Sequence, residues 1–118
     1  MAKIFGVHEI ELLPGADAAA FERFILKELP KPFPGWTLHL GKGDRGSRSD
    51  KYAVIFELDT TSRDRYAPRE NQLSDEGKRL ADAEAARVAK KMATFTTTLM
   101  GTNSVFTDYV VAGSLSST

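Results

Sequence analysis

Three polar residues in consecutive predicted strands have the side chains that acid and base catalysis uses. His39, Glu9 and Glu57 alternate with apolar neighbours, so all three are predicted on one face of a sheet. A carboxylate beside a histidine orients the ring and stabilises its charged form, which suits proton transfer near neutral pH. His39 and Glu9 are therefore predicted catalytic residues, and Glu57 a predicted substrate contact. Alternatively, the three form ion pairs across an interface between two copies; on three separate strands they make no metal-binding motif.

The second histidine, His8, lies in the first predicted strand among apolar neighbours. The alternation places its side chain on the face opposite Glu9, toward the helices. We interpret His8 either as a further catalytic candidate or as a histidine packed in the core. A register shift of one residue would move it to the face of Glu9.

Four other side chains are predicted to hold a substrate. In the segment SRDRYAPRE, Arg69 suits a carboxylate or phosphate, and the Tyr66 hydroxyl is predicted at the rim of a pocket. The alternating charges of this segment also fit a solvated turn with local ion pairs. Trp36 and Tyr109 are predicted contacts from the second and fourth strands. The basic, glycine-rich stretch 41–50 lacks the GxxxxGK[ST] pattern and is predicted as a hairpin loop.

The residue inventory excludes several classes of function. Sixteen basic and sixteen acidic residues balance, so the surplus of positive charge that nucleic-acid or anionic-membrane binding needs is missing. The chain has no cysteine for thiol catalysis or disulfides, and no GxSxG nucleophile motif. It has no apolar run long enough for a signal peptide or a membrane span. We therefore expect a cytoplasmic protein with neither nucleic-acid nor membrane partners.

Hydrophobic periodicity predicts the elements that position these residues. Alternation predicts four strands: the first, with the turn behind it, at Lys3 to Gly15, and the others at Trp36 to Leu40, Tyr52 to Leu58 and Val105 to Val111. Helical spacing predicts one helix that Asp17 caps and Pro30 stops, and a long helix that Ser74 caps and Gly101 ends. A short helical turn is predicted around Ser62 to Tyr66. The 118 residues are predicted as one domain, with a core over 3–111 and a flexible tail at 112–118.

The resulting order, β-α-β-β-α-β, is the split βαβ pattern of the ferredoxin-like fold, in the α+β class. That fold predicts strands in the order 4-1-3-2, with both helices on one face of the sheet. The open face would then combine apolar residues such as Phe5 and Val7 with Glu9 and Glu57. It is too apolar for a solvated surface and too charged for a dry core, which predicts a homodimer that covers it.

Several segments resemble the dimeric α+β barrel superfamily, which includes antibiotic-biosynthesis monooxygenases, EthD-like proteins and NIPSNAP-like proteins. They are the first strand ending in LPG, the helix from Ala18, the stretch SRDRYAPRE and the helix from Asp75. The segment HEIELLPG is similar to the first strand of NIPSNAP and EthD proteins. The resemblance implies a homodimer whose sheets close into a barrel with a pocket in each half. It implies no single chemistry, since members range from cofactor-free oxygenases to proteins with no known reaction.

Two hypotheses about function follow. In the first, the protein binds a small apolar or aromatic molecule and acts as a cofactor-free, monooxygenase-like or EthD-like enzyme, with His39 or His8 and Glu9 moving a proton. In the second, it is a non-catalytic structural or ligand-binding homodimer whose polar residues only stabilise the interface. A cavity that leaves one of these polar groups unpaired would favour the enzyme, and pairing of all of them would favour the second hypothesis.

Overall fold

The protein is an α+β structure with one antiparallel sheet, seen in a computed structural model that describes residues 2–69, 72–82, 85–97 and 105–117. The strands are β1 (Lys3–Ile10), β2 (Thr37–Lys42), β3 (Tyr52–Asp59) and β4 (Val105–Val110). The helices are α1 (Ala18–Arg23), which continues as a π-helical turn at Phe24–Glu28, α2 (Thr60–Tyr66), α3 (Asp75–Asp82) and α4 (Ala85–Met92).

The first strand is central in the sheet. The strands lie in the order β2-β3-β1-β4, and each neighbouring pair is antiparallel. His8 lies opposite Val54 in β3 and Phe106 in β4. The prediction of an α+β fold with a four-stranded antiparallel sheet is confirmed, and this arrangement is compatible with a ferredoxin-like fold.

The hydrophobic core lies between the sheet and the helices. Alternate residues of each inner strand face the helices, and the helices contribute both aromatic and aliphatic side chains to the same layer. The core consists of Ile10, Phe21, Phe24, Ile25, Tyr52, Val54, Met92 and Phe95. Each such fully buried side chain contributes about 1.5–3 kcal/mol by removing apolar area from water. The predicted faces of β1 are confirmed, since Ile4 and Ile10 are fully buried on the helix side.

Both predicted helix caps are present. The Asp17 carboxylate accepts a hydrogen bond from the Ala20 N–H at 3.1 Å, at the start of α1. The Ser74 hydroxyl accepts one from the Gly77 N–H at 3.1 Å, at the start of α3. Each cap satisfies a backbone donor that the first helical turn leaves without a partner.

The last helix is shorter than predicted. It ends at Met92 and not at Gly101, because residues 93–95 form a turn and Thr96 pairs with Leu12 in an isolated bridge. The run of threonines that follows has low helix propensity, since β-branched side chains lose rotamer freedom in a helix. The Leu13 N–H donates to the Phe95 carbonyl at 2.7 Å, so this segment pairs with the end of the first strand instead. Gly101 lies outside the described residues.

The segment after β4 runs over the surface. Residues 112–117 have no regular secondary structure and are exposed. Among the helices in the described ranges, none has the length and apolarity needed to cross a membrane.

Candidate functional site

Two of the three predicted polar candidates form an ion-paired group on the open face. His39 Nε2 lies 3.2 Å from one Glu57 carboxylate oxygen, and Lys3 Nζ donates to the other at 2.9 Å. The hydrogen bond from Lys3, followed by that from His39, holds the pKa of the Glu57 carboxyl below its usual value. Glu57 is therefore ionised at neutral pH and has two partners within its own chain.

Glu9 belongs to a separate group at the other end of the open face. It lies opposite Ala53, four residues along β3 from Glu57, which corresponds to about 13 Å. Its carboxylate pairs with Arg48 Nε at 3.3 Å. The structure therefore pairs His39 with Glu57 and keeps Glu9 apart from them, although all three lie on the face that the alternation predicts. The cause is the register of β1, which separates Glu9 and Glu57 along the strands.

Arg48 holds the loop between β2 and β3 against β1, a role that no sequence pattern predicts. Its guanidinium donates to the carbonyl oxygens of Ile10 and Tyr52, both at 3.2 Å, besides its pair with Glu9. Lys51 adds a bond to Glu11 at 3.0 Å. A basic residue in a glycine-rich loop is ordinarily solvated, so only the folded register identifies Arg48 as an anchor.

A cavity of about 380 Å³, here the open-face cavity, lies beside this anchor. Its wall includes two predicted site residues, Glu9 and Tyr109, and three cationic residues, Lys42, Arg48 and Lys51. Tyr109 is 58% exposed, so it contributes an accessible ring to the edge of the sheet. The Glu9 carboxylate in this wall is already paired with Arg48.

His8 packs on the helix side between two aromatic rings. It stacks on Phe106 with ring centroids 5.2 Å apart and meets Phe56 edge to face at 5.6 Å. Burial lowers the pKa of His8, and the charge of Asp108 opposes this change. Its Nδ1 is buried and has no hydrogen-bond partner within the described ranges. His8 is therefore mainly neutral at pH 7. Its aromatic surroundings favour a histidine packed in the core over an accessible catalytic residue.

A second cavity, of about 390 Å³, lies between the sheet and the helices, and we call it the helix-side pocket. All but two of its lining residues have purely apolar side chains, and the exceptions are Lys31 and Trp36. The lining residues are Leu29, Pro30, Lys31, Pro32, Phe33, Pro34, Trp36, Leu38, Phe56, Leu80, Ala81 and Val88. Its volume falls within the range of small-molecule sites, which are mostly apolar with a few placed polar groups.

The segment PKPFPGW builds one wall of this pocket. The Trp36 N–H donates to the Phe33 carbonyl at 2.9 Å, and Gly35 has a φ of 86°, so residues 33–36 follow the type II turn pattern with Pro34 second. The turn places the Phe33 and Trp36 rings edge to face at 5.0 Å. Trp36 also meets Phe56 at 5.7 Å, so the prediction that Trp36 lies at a pocket agrees with its position in the fold.

Tyr66 lies behind the pocket wall and not at a rim, which differs from its predicted position. It is 2% exposed and stacks on Phe33 at 4.8 Å. Its apolar ring fills the space between α2 and the turn, so its burial follows from packing. Its neighbour Arg65 makes two hydrogen bonds to the Glu76 carboxylate of α3, at 2.8 and 3.0 Å. The local ion pair that was predicted within this segment is between Arg63 and Asp64, at 3.3 Å.

Arg69, the remaining predicted substrate contact, lies apart from the other candidates. It is exposed, forms an isolated bridge with Gln72, and lines neither of the two cavities. Within the described ranges, no three histidine or acidic side chains converge as a metal site would require.

Sequence reasoning missed Lys31 and Phe33 as pocket residues. The available signal was the alternation of proline with other residues before Trp36, which fixes an extended, stiff wall beside the sheet. Comparisons of the chain with models of known protein families, with curated proteins and with solved structures found no match.

Proposed function

We propose that this protein binds a small apolar or aromatic molecule in the helix-side pocket. The observation that carries the proposal is an apolar cavity of about 390 Å³ between the sheet and the helices. The aromatic rings of Phe33, Trp36 and Phe56 are already packed against one another at its wall. A binding wall formed before the ligand arrives lowers the entropic cost of association.

The polar residues favour a ligand-binding protein over an enzyme. His39 and Glu57 contact each other, and Glu9 contacts Arg48, so each of these predicted candidates has a partner in its own chain. His8 is packed between Phe56 and Phe106 and is not among the residues that line the pocket. A proton-transfer group in contact with a pocket ligand is therefore not needed to explain the arrangement.

The test is ligand titration with a variant that fills the pocket. Ala81 lines the pocket, whereas Ala89 is exposed on α4 and outside the lining. We expect naphthalene derivatives to bind the natural chain. Their affinity for Ala81→Phe should be at least tenfold lower, and their affinity for Ala89→Phe should equal that for the natural chain. Isothermal titration calorimetry measures the three affinities. Equal affinities for the two variants would contradict the proposal.

We also propose that two copies associate through the open face, as in a dimeric α+β barrel. Val7 and Ile55 pair across β1 and β3 in the apolar row between the two charged groups of this face. The net charge of zero leaves little repulsion between copies. Sedimentation at micromolar concentration should give a dimer for the natural chain and a monomer for Ile55→Arg, with Ala89→Arg as the control. A monomeric natural chain would contradict this assembly.

A further inference from the structure

The strand β4 forms one edge of the sheet and exposes that edge along its whole length. It pairs with β1 on one side, and no strand in the described part of the chain pairs with its other side. Most of its residues are exposed, among them Val105 at 51% and Tyr109 at 58%. An exposed edge of this kind presents backbone donors and acceptors to another extended chain.

Charged side chains, which natural edge strands commonly use to prevent such pairing, are almost absent from this part of the sequence. Asp108 is the only charged residue in 92–118, although 27% of the whole chain is charged. The other edge strand, β2, ends in Lys42 and follows a turn that contains Pro34. The composition of β4 therefore suits an extended partner with little charge, and β4 of a second copy is such a segment.

The backbone of β4 determines which of its groups face the open edge. The Val111 N–H donates to the Lys3 carbonyl at 2.9 Å, between β4 and β1. Because such bonds involve every second residue of an antiparallel pair, the backbone groups of Thr107 also face β1. The N–H and C=O groups of Phe106 and Asp108 therefore point away from β1, toward the open edge.

We propose that β4 pairs antiparallel with β4 of a second copy, about a two-fold axis that crosses the strands at Thr107. In this register the outward groups of Phe106 meet those of Asp108 of the partner subunit, so each copy both donates and accepts. Val105 lies opposite Tyr109 of the partner subunit, a β-branched residue against an aromatic ring. Moving the axis to Asp108 would set two carboxylates directly opposite each other, which like-charge repulsion disfavours.

This edge contact is separate from the proposed open-face association, because it joins two copies side by side in one continuous sheet. A single strand from each copy buries less area than a stable interface does. We therefore expect a dissociation constant of about 1 mM, so that the edge contact forms in concentrated protein and not at micromolar concentration.

Cysteine cross-linking tests the contact and its register, since the natural chain has no cysteine to give a background. The two Thr107 residues would form a pair without hydrogen bonds, in which Cα atoms lie about 4.5 Å apart, within reach of a disulfide. Thr107→Cys is made in Ile55→Arg, which removes the open-face association, and is oxidised in a glutathione buffer at about 1 mM protein. We expect a disulfide-linked dimer on non-reducing gels. Val105→Cys is the exposed control, because its two copies would lie about 13 Å apart, and its yield should be at least tenfold lower.

Asp108→Pro tests the backbone bonds of the edge. The Asp108 N–H points outward, so proline removes no bond to β1, and edge strands tolerate proline at such positions. Added to the Thr107→Cys chain, it should lower the disulfide yield at least tenfold, whereas Asp108→Ala, which keeps the N–H, should leave the yield unchanged.

Equal yields from Thr107→Cys and Val105→Cys would overturn the proposal, as would a yield that a folded Asp108→Pro variant leaves unchanged. The comparison of the two cysteine variants involves no proline, so it decides the proposal even if Asp108→Pro does not fold. Because every variant carries Ile55→Arg, failure of the open-face association would not alter these results.

Discussion

The hydrogen bond between Tyr52 and Glu22 stabilises the fold at neutral pH, and we predict that this stabilisation is lost at alkaline pH. Tyr52 is 2% exposed, and its hydroxyl donates to the Glu22 carboxylate, which joins β3 to α1. Burial, followed by the bond to Glu22, raises the pKa of Tyr52 from 10.0 to about 12. At about 1.4 kcal/mol for each pKa unit, this shift corresponds to a preference of about 3 kcal/mol for the neutral phenol in the folded state.

The sign of the effect follows from linkage. Because the pKa is higher in the folded state than in the unfolded chain, the stabilisation is fully present below pH 10. It is lost as the pH rises from 10 toward 12. Tyr52→Phe keeps the ring and removes the hydroxyl, and we expect it to lower the free energy of unfolding by about 1.5 kcal/mol at pH 7. This value is at the lower end of the roughly 1.5–3 kcal/mol that a hydrogen bond to a charged group contributes. Glu22 is only half-buried, so water replaces the lost hydroxyl in the variant.

Urea denaturation at pH 7 and in steps from pH 9 to 12 measures both effects. The difference in unfolding free energy between the natural chain and Tyr52→Phe should be constant up to about pH 10. It should close near pH 11, where about 1.4 kcal/mol has been lost, and reverse in sign above that pH. Tyr109→Phe is the matched control, since Tyr109 is 58% exposed. A Tyr52→Phe variant as stable as the natural chain at pH 7, or a gap that stays constant through pH 12, would refute this reasoning.

Two further predictions concern α3 and the open face. Gly77→Ala should destabilise the fold, because its Cβ would clash with the Tyr66 carbonyl oxygen and the cost of the clash outweighs the roughly 1 kcal/mol that alanine gains in a helix. The exposed control Lys78→Ala should be near neutral, and a Gly77→Ala variant with a higher melting temperature would contradict the close packing. Glu57→Gln should flatten the fall in stability as the pH drops from 7 through the lowered pKa of Glu57, since the pairs with Lys3 and His39 are lost on its protonation. Denaturation at low salt measures it, and an unchanged slope would argue against these pairs.

Local chemistry made much of the fold predictable. Asp17 and Ser74 were predicted as caps and act as caps, because a capping oxygen needs only the backbone of the next few residues. Alternation placed Ile4 and Ile10 correctly on the helix side, since a strand has a side-chain period of two. The predicted end of the last helix was wrong, because the pairing of Thr96 with Leu12 is a tertiary contact that no local pattern encodes.

The candidate site was harder to predict for the same reason. Alternation predicted that His39, Glu57 and Glu9 share a face, but it could not predict which of them pair, because it determines the face of a residue and not the register of its strand. The role of Arg48 as an anchor of the loop was not predicted, because its partners include backbone carbonyls of residues distant in the sequence. The pocket depends on where a proline-rich turn meets Phe56, which becomes apparent only when helices and sheet are assembled.

The position of a bound ligand tests the central claim most directly. A crystal structure of the protein grown with 2-naphthoate should show the naphthalene ring in the helix-side pocket, against Trp36 and Phe56 and close to Ala81. The ring should leave the open-face cavity beside Arg48 unoccupied by ligand. Density for the ligand in the open-face cavity alone, or an empty helix-side pocket at saturating ligand, would contradict the claim that this protein binds apolar molecules between its sheet and its helices.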